Sequence, residues 1–447
     1  MALRGADKGE SEQPNNPDGL EPNMPLGICF YEDAKFNQFY PLTYLRPVFT
    51  MRAGIVSLFE RYKRQFPDAT VSFAARDQVA PLLAEQYRDY PVGLVKRGEG
   101  EMLFVNGRIR GYGDLLKLVS ESRLTTVFKN GDDTVAVLFK RDSCASIPPL
   151  ATPKDYLDRF LVERQDIPDF ETTATVYHYP WEIMADIETE VTEDFKEVLR
   201  VHRPSGTNAF VHESAVLIDE SNIVMDTDVH VGATAVLDAS AGPIYIAANT
   251  RVEPQAAIYG PCYVGPNSVV VAGKITACSI GHTCRVGGEV EESIFHSYVN
   301  KYHAGFIGHS YVGSWVNFGA MTTNSDLKNN YSAIRVSVNG QMVDTGSIKV
   351  GSFIGDHTKF GIGTLLNTGI NIGVCCNLFG GTLISDKEVA SFSWGNSEKY
   401  DRYDLDKALG TAHKTAERRN YTLSSREISI LESIFSGSVS SDGVLDF

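Results

Sequence analysis

Apolar residues recur at every sixth position through the segment 204–385. Three series keep this period, over Val211, Leu217, Ile223, Val229 and Ala235, over Val252, Ile258, Val264 and Val270, and over Ile354, Phe360, Leu366, Ile372 and Leu378. Alternation within each hexad gives a short strand with one apolar face, and Gly or Asn between strands permits the positive φ of a tight corner. We predict a left-handed parallel β-helix of about eight coils, built from hexapeptide repeats. An antiparallel β-sandwich is the alternative.

Residues 26–203 show a different pattern, in which short apolar strands alternate with helical segments. Strands are predicted over 28–31, 70–74 and 102–105, and helices over 52–65 and 78–87. This alternation predicts a Rossmann-like α/β domain with a parallel sheet and covering helices. The pair Asp132-Asp133 follows Asn130-Gly131, and we interpret it as a solvated turn rather than a metal site.

The remaining segments complete the predicted organisation. Within the β-helix, residues 323–349 break the period with a polar loop and the turn Asn339-Gly340, which predicts an inserted hairpin. Such a loop commonly carries binding residues, although a hairpin without a binding role is the alternative. Residues 386–447 have helical spacing and predict a tail that packs on the end of the β-helix or on a neighbouring chain. Residues 1–25 are expected to be a disordered lead-in.

Composition narrows the functional classes. The 447 residues carry 41 Lys and Arg against 56 Asp and Glu, a net charge of −15, which argues against binding to nucleic acid or to an anionic membrane. No apolar run approaches the roughly 20 residues that a membrane span needs. Seven cysteines without a CxxC pair favour a reducing compartment over a disulfide framework or a zinc ribbon. We expect a soluble, cytoplasmic protein.

Two consecutive motifs in the β-helix support a family resemblance. They are NKYHAGFIG at 300–308 and VGSWVNFGA at 312–320. With the preceding α/β domain, they make residues 28–384 resemble the bifunctional N-acetylglucosamine-1-phosphate uridyltransferase/glucosamine-1-phosphate acetyltransferase family, closest to a divergent branch of sugar nucleotidyltransferases. The resemblance implies acetyl-CoA or another acyl-CoA as co-substrate, and a homotrimer with the acyl site between chains.

The same resemblance implies residue roles in the β-helix. His303 corresponds to the general base, Asn317 lies in the same site, and Asn324 and Lys328 frame the substrates. A neutral imidazole suits the role, because an amine that attacks a thioester must lose a proton near neutral pH. Phe306 stands where the family has a tyrosine that contacts substrate. The alternative is that His303, like other histidines beside corner glycines such as His309, is a turn residue.

The N-terminal resemblance is partial. The segment PLTYLRP at 41–47 matches the second half of the family's phosphate-binding signature and places Arg46, with Arg52, to contact phosphate, but residues 32–38 contain no glycine. Asn106 takes the place of the magnesium-binding aspartate, and Asp186 is a second candidate metal contact. Mg²⁺ prefers anionic oxygen, so a neutral Asn is a poor ligand. Arg46 and Arg52 are equally consistent with ordinary structural positions.

The sequence therefore predicts a transferase of nucleotide-sugar biosynthesis. The N-terminal domain would transfer a nucleotidyl group from an NTP to a sugar-1-phosphate with Mg²⁺, and the β-helix would acylate an amino sugar. One alternative is a single-activity acyltransferase whose degenerate N-terminal domain only binds a sugar phosphate. The other is a non-catalytic trimeric scaffold.

Overall fold

The computed structural model describes residues 27–64, 66, 69–93, 101–140, 167–201 and 208–437. An α/β domain, a parallel β-helix and a helical tail follow one another along the chain, which confirms the predicted fold class. The predicted lead-in over residues 1–25 lies outside the described residues.

The N-terminal domain is built on a mixed sheet. Its strands are β1 (Gly27–Tyr31), β2 (Thr70–Ala74), β3 (Met102–Asn106), β4 (Ile109–Gly111), β5 (Thr126–Asn130), β6 (Asp133–Phe139), β7 (Asp169–Glu171) and β8 (Thr175–Val176). The main sheet has the order β2-β1-β3-β6-β5-β7, while β4 pairs with β8. β1, β2 and β3 are parallel as predicted, but β6 runs antiparallel to β3 and β5. The chain reverses between β5 and β6 at a tight turn, where Gly131 has φ of 56°. The prediction of a fully parallel sheet was therefore wrong.

Among the described residues of the domain, five α-helices accompany this sheet. They are α1 (Leu58–Lys63), α2 (Ala80–Gln86), α3 (Leu115–Glu121), α4 (Pro180–Ala185) and α5 (Ile187–Val201), with short 3-10 helices at Ala34–Phe39 and Val48–Thr50. The helix predicted over 52–65 is shorter than expected. It begins after Ser57, whose side chain forms a capping box with Glu60, because this pair satisfies the first free N–H groups.

The β-helix is formed by short parallel strands that stack coil on coil. Its strands are Phe210–Val211, Val216–Ile218, Ile223–Met225, His230–Val231, Val236–Asp238, Ile244–Ile246, Arg251–Val252, Ala256–Tyr259, Cys262–Val264, Val269–Thr276, Ser279–Ile280, Arg285–Glu291, Ile294–Phe295, Asn300–Lys301, Phe306–Gly308, Tyr311–Val312, Asn317–Phe318, Thr323–Asn324, Ser352–Ile354, Lys359–Phe360, Leu365–Leu366, Ile370–Ile372, Asn377–Leu378, Leu383–Ile384, Glu388–Val389 and Ser393–Asn396. The predicted inward residues of the second and third series are all buried, which confirms the six-residue period.

The β-helix has about ten coils rather than about eight. The estimate of eight assumed 18 residues for every coil, but several coils are shorter. Val269, Arg285 and Asn300 occupy equivalent positions on successive coils, at spacings of only 16 and 15 residues. Shorter corners therefore fit more coils into the same length of chain.

The inserted segment contains the predicted hairpin. Arg335–Val338 pairs antiparallel with Gln341–Asp344. Asn339 and Gly340 form the turn with φ of 52° and 75°, the left-handed pair that a two-residue hairpin turn requires. The hairpin lies against the N-terminal domain, where the Asn339 side chain donates a hydrogen bond to the Asn37 carbonyl oxygen.

The tail packs along the side of the molecule. After a last strand at Lys399–Arg402, it forms helices α6 (Leu405–Glu417) and α7 (Ser425–Phe435). Ser424 and Glu427 form a capping box at the start of α7. Ala412 and Ala416 of α6 pack near Trp315 of the β-helix, while Ile430 and Leu431 of α7 join the core of the N-terminal domain. The tail thus bridges the other two units. No helix among the described residues combines the length and the apolar character that crossing a membrane requires.

Candidate functional site

His303 lies on the outside of the β-helix, in the turn that follows the strand Asn300–Lys301. The turn is held from beneath by Lys301, whose buried ammonium donates hydrogen bonds to the carbonyl oxygens of Gly287 (2.8 Å) and His303 (2.9 Å). Burial lowers the pKa of Lys301 to about 8. The hydrogen bonds from Lys301 therefore hold the backbone of His303 in place, while the His303 residue itself is exposed.

A glycine keeps this turn close to the next coil. Gly305 has φ of 129°, and a Cβ atom there would lie 2.1 Å from the carbonyl oxygen of Thr322. Any other residue would push the His303 turn away from the coil. Lys301 and Gly305 are positioning residues that the sequence motif contains but that sequence reasoning did not identify.

Asn317 lies on the same strand face, one coil further along. Its Oδ1 atom accepts a hydrogen bond of 2.8 Å from the Asn300 amide, and both residues are half-buried. Because His303 follows Asn300 by three positions, the structure brings Asn317 and His303 to adjacent coils on one side of the β-helix. The register thus places these two predicted residues on neighbouring coils.

The two predicted loop residues have other partners. Asn324 is buried, accepts a hydrogen bond from the Gly308 N–H (2.9 Å), and donates to the Gly308 carbonyl oxygen and to Ser310 Oγ (both 3.0 Å). The ammonium group of Lys328 donates to the Ala333 carbonyl oxygen (2.7 Å) within its own loop. Both side chains stabilise local structure, and nothing in the geometry supports their predicted contact with substrate.

An ion-pair network fixes the inserted segment to the β-helix. His309 donates from Nδ1 to Asp326 Oδ2 (2.7 Å) and from Nε2 to Glu292 Oε2 (3.0 Å). Burial opposes the charged imidazole, but the two carboxylates outweigh it and raise the pKa of His309 to about 9. His309 is the turn residue that its sequence context indicated, with φ of 46°, and it is also an imidazolium. Only the folded chain brings its two partners together.

Exposed apolar side chains form a stack beside His303, which we call the apolar ridge. Its members come from successive coils: Tyr302 (47% exposed), Met321 (57%), Ile362 (75%), Leu365 (42%) and Leu383 (50%). Thr323, Leu365 and Leu383 begin strands that stack in register, which places these coils one above another. Large apolar side chains exposed on successive coils are typical of a protein–protein contact.

The N-terminal domain collects charge at the carboxyl ends of β1 and β3. This group, Asp33, Asn106, Arg108 and Asp133, is called the charged centre below. Arg108 is 1% exposed, and its Nη2 atom donates to Asp33 Oδ2 (2.6 Å) and Asp133 Oδ1 (2.8 Å). Asn106 donates to Asp33 Oδ2 (2.9 Å) and accepts from the Arg108 N–H (2.9 Å). Every polar atom of the Asn106 side chain is thus engaged.

Asp133 is not the solvated turn residue that the sequence suggested. Besides Arg108, it pairs with Lys35 (2.8 Å) and His178 (2.8 Å). Burial opposes its ionisation, but these hydrogen bonds outweigh burial and hold the pKa of Asp133 well below its usual range. The turn therefore packs into the charged centre.

These residues do not fit the Mg²⁺ ion that the family resemblance implies. Asp33 and Asp133 are neutralised by Arg108, and Asn106 directs its amide N–H toward Asp33. Asp186 is paired elsewhere, through two hydrogen bonds from Arg110 (2.6 and 2.7 Å). Across the described part of the chain, no group of three or more His, Cys, Asp and Glu side chains could hold a metal ion. Mg²⁺ needs anionic oxygens that are not already paired.

Arg46 and Arg52 join the N-terminal domain to the β-helix. Arg46 is buried, donates from Nη1 to Asp356 Oδ2 (3.0 Å), and also contacts Ser314 Oγ (3.2 Å). The Arg52 guanidinium lies 5.2 Å from the ring centre of Tyr263. Both cations have structural partners in the β-helix, so their contact with phosphate stays a prediction.

The fold and the surface around His303 define a nucleotidyltransferase-like domain joined to a hexapeptide-repeat β-helix. In agreement, residues 28–201 match the family described as "Sugar nucleotidyl transferase". The chain is 28% identical over 123 residues to the "Bifunctional sugar-1-phosphate nucleotidylyltransferase/acetyltransferase" of Sulfurisphaera tokodaii, which covers 28% of this chain and 29% of that protein. It is 27% identical over 139 residues to the "Bifunctional protein GlmU" of Methanococcus vannielii, which covers 31% of each.

The chain thus matches less than a third of the length of these curated relatives. Among solved structures, the Arabidopsis UDP-N-acetylglucosamine acyltransferase has 13% identity and a TM-score of 0.26, covering 53% of this chain and 85% of that one. The Campylobacter jejuni UDP-N-acetylglucosamine acyltransferase has 12% identity and a TM-score of 0.23, covering 50% and 95%. The family match and the curated relatives confirm, at low identity, the resemblance that the sequence indicated.

Proposed function

We propose that this protein is a transferase of nucleotide-sugar biosynthesis with two modules. The β-helix transfers an acetyl group from an acyl-CoA to the amino group of an amino-sugar phosphate. The N-terminal domain binds a sugar-1-phosphate and an NTP and transfers the nucleotidyl group. The observation that carries the acyl transfer is His303, exposed in its motif on a fixed turn, with Asn317 on the adjacent coil.

The acyl transfer needs a base and a donor to the developing oxyanion. The substrate amine attacks the thioester carbonyl carbon, and the His303 imidazole accepts the proton that the nitrogen loses. The Asn317 amide can donate a hydrogen bond to the carbonyl oxygen as it becomes negative. When the C–S bond breaks, the imidazolium returns the proton to the leaving thiolate. The products are the N-acetylated sugar and free CoA.

The proposal includes a homotrimer, and the apolar ridge supports it. One of its five exposed side chains, Tyr302, lies beside His303 with 5.5 Å between the ring centres, so a neighbouring chain that covers the ridge would reach the His303 turn. Localisation in the cytoplasm belongs to this proposal and is supported by the six described cysteines, all of them free and buried.

Nucleotidyl transfer is proposed on the family match over residues 28–201, and no step is routed through Mg²⁺ because the charged centre does not fit the ion. The pairing of Asp33 and Asp133 with Arg108 favours a second candidate. In that version the N-terminal domain binds a sugar phosphate without transferring a nucleotide, and the protein is an acyltransferase only. Release of pyrophosphate from a panel of NTPs and sugar-1-phosphates separates the two versions.

The acyl transfer is tested by incubating the protein with acetyl-CoA and glucosamine-1-phosphate or galactosamine-1-phosphate and measuring free thiol. We expect His303→Ala to lower the rate about 10²–10⁴-fold, the usual contribution of a general base. His212→Ala is the matched control, because His212 is half-buried on a distant coil, and its rate should be unchanged. Absence of thiol release with every amino sugar, or full activity of His303→Ala, would overturn the acyltransferase assignment. Absence of acyl-CoA binding in calorimetry would favour a scaffold instead.

A further inference from the structure

A cavity of about 410 Å³ lies between α6 and the β-helix. Asn300, Asn317 and Lys359 line it from the β-helix, and Lys414, Arg418 and Arg419 line it from α6 and the residues that follow. Tyr298 and Trp315 form its inner wall. The volume is within the range of small-ligand sites, about 300–1,000 Å³.

The cavity concentrates positive charge in an acidic protein. Lys359, Lys414, Arg418 and Arg419 form what we call the cation cleft, and none of the four makes an ion pair with a carboxylate among the residues that the structure describes. The Lys359 ammonium donates only to the carbonyl oxygen of Trp315. The chain as a whole has a net charge of −15. Four unpaired cations around one cavity therefore differ in sign from the charge of the whole protein.

The cations are close enough to disturb one another. Burial lowers the pKa of Arg419, and the positive charges of Arg285 and Arg418 lower it further. Burial likewise lowers the pKa of Lys359 to about 8. Within the cleft, Arg418 and Arg419 repel each other, and a bound anion would offset this repulsion and form charge-assisted hydrogen bonds with several donors at once.

The walls of the cleft are built by packing. Ala412 and Ala416 of α6 are buried next to Trp315, whose ring stacks on Tyr298 at 3.9 Å between ring centres. Tyr421 then packs on the same pair, 5.2 Å from Trp315. The cations are thus held on two surfaces fixed by aromatic and alanine contacts, a preorganised arrangement for binding.

We propose that the cation cleft binds the phosphate groups of a nucleotide. The guanidinium and ammonium groups of these four cations supply the donors for the phosphate oxygens. The ligand is either a free nucleoside di- or triphosphate or the nucleotide end of an acyl-CoA. The proposal that the cleft binds phosphate groups is independent of the proposed function. Only the assignment of acyl-CoA as the ligand rests on the proposed function.

The experiment measures ADP binding by calorimetry at low salt for the full chain and for Lys414→Ala/Arg418→Ala. Both side chains are exposed, so the fold should be retained, which thermal melting verifies. We expect the double variant to bind ADP at least about tenfold more weakly, since two charge-assisted contacts are lost. Lys407→Ala is the control, because Lys407 is exposed on the same helix outside the cleft. It should bind ADP like the unmodified chain.

Two competition arms identify the ligand. If acetyl-CoA displaces ADP and UTP does not, the cleft holds the nucleotide end of the acyl carrier; the reverse identifies a free nucleotide. His303→Ala should bind ADP normally even if no acetyl transfer is found, so failure of the proposed function does not mimic failure of the cleft. Failure of ADP, acetyl-CoA and UTP all to bind, or equal ADP affinity in the double variant and the Lys407→Ala control, would overturn the proposal.

Discussion

Two regions of this protein contain the groups that nucleotide-sugar chemistry requires, and they use them in opposite ways. In the charged centre of the N-terminal domain, Arg108 and the carboxylates of Asp33 and Asp133 satisfy one another in a buried site. On the outside of the β-helix, His303 is exposed and the cation cleft lacks carboxylate partners among the described residues. Both regions contain charged or ionisable side chains. They differ in whether the chain itself supplies the oppositely charged partner of those side chains.

The difference separates groups that hold the fold from groups that can meet a ligand. A buried charge with its partner in place contributes to a fixed structure, and removing either partner leaves an uncompensated charge. An exposed group on a rigid turn can change its partner without changing the fold. In the charged centre of the N-terminal domain, the charges are already paired within the chain.

The largest effect on stability is expected for Arg108→Met. Loss of the buried guanidinium removes the cationic partner of the half-buried Asp33 and one of the partners of Asp133, and breaking such a pair costs about 3–5 kcal/mol of the free energy of unfolding. Chemical denaturation measures it. Arg110→Met is the control, since Arg110 is 40% exposed in its pair with Asp186 and should cost no more than about 1 kcal/mol. Equal stabilities of the two variants would mean that the charged centre is not closed on itself.

A pH dependence tests the closed network inside the β-helix. The pKa of folded His309 is about 9, above the unfolded value of about 6.5, so its contribution is complete below pH 6.5 and is lost as the pH rises through 9. The shift in the pKa of His309 corresponds to about 3–4 kcal/mol. We expect the difference in unfolding free energy between the unmodified chain and His309→Asn to shrink by this amount between pH 6 and 10. A difference that is constant with pH would contradict the charged imidazole.

The smallest effect is expected on the open apolar ridge. Ile362 is 75% exposed, so Ile362→Asp should leave the unfolding free energy of the single chain nearly unchanged. It should weaken self-association, because burying one Ile side chain contributes about 1.5–3 kcal/mol at each contact. Sedimentation velocity measures the oligomer. Leu124→Asp is the control, as Leu124 is 66% exposed on the N-terminal domain. Identical sedimentation of the two variants would place the chain contact elsewhere.

Much of the fold could be predicted because its signals are local and repeated. Val252, Ile258 and Val264 are six residues apart and fully buried, and the series from Ile354 to Leu378 keeps the same spacing and is also buried. The hairpin turn at Asn339-Gly340 and the capping box of Ser424 and Glu427 are also local signals, and both are present. The number of coils was wrong because corner length leaves no periodic signal.

The candidate site was predictable to the extent that it is carried by a motif. His303 and Asn317 were predicted from two motifs that follow each other in the sequence, and the structure places them on adjacent coils. The partner of Arg46 is Asp356, a residue 310 positions away, and no local pattern joins the two. The same reason explains why the occupied amide of Asn324 could not be foreseen.

The sequence by itself determined the repeating unit, the order of the α/β domain, β-helix and tail, and the motif around His303. These follow from the local balance of apolar, small and turn residues, which each short segment expresses alone. Only the tertiary structure decided which charges are paired. It closed Arg108 on Asp33 and Asp133, and it brought Lys414 and Arg418 of the tail to Lys359. Charge pairing acts across space between residues distant in the chain, so it exists only after folding.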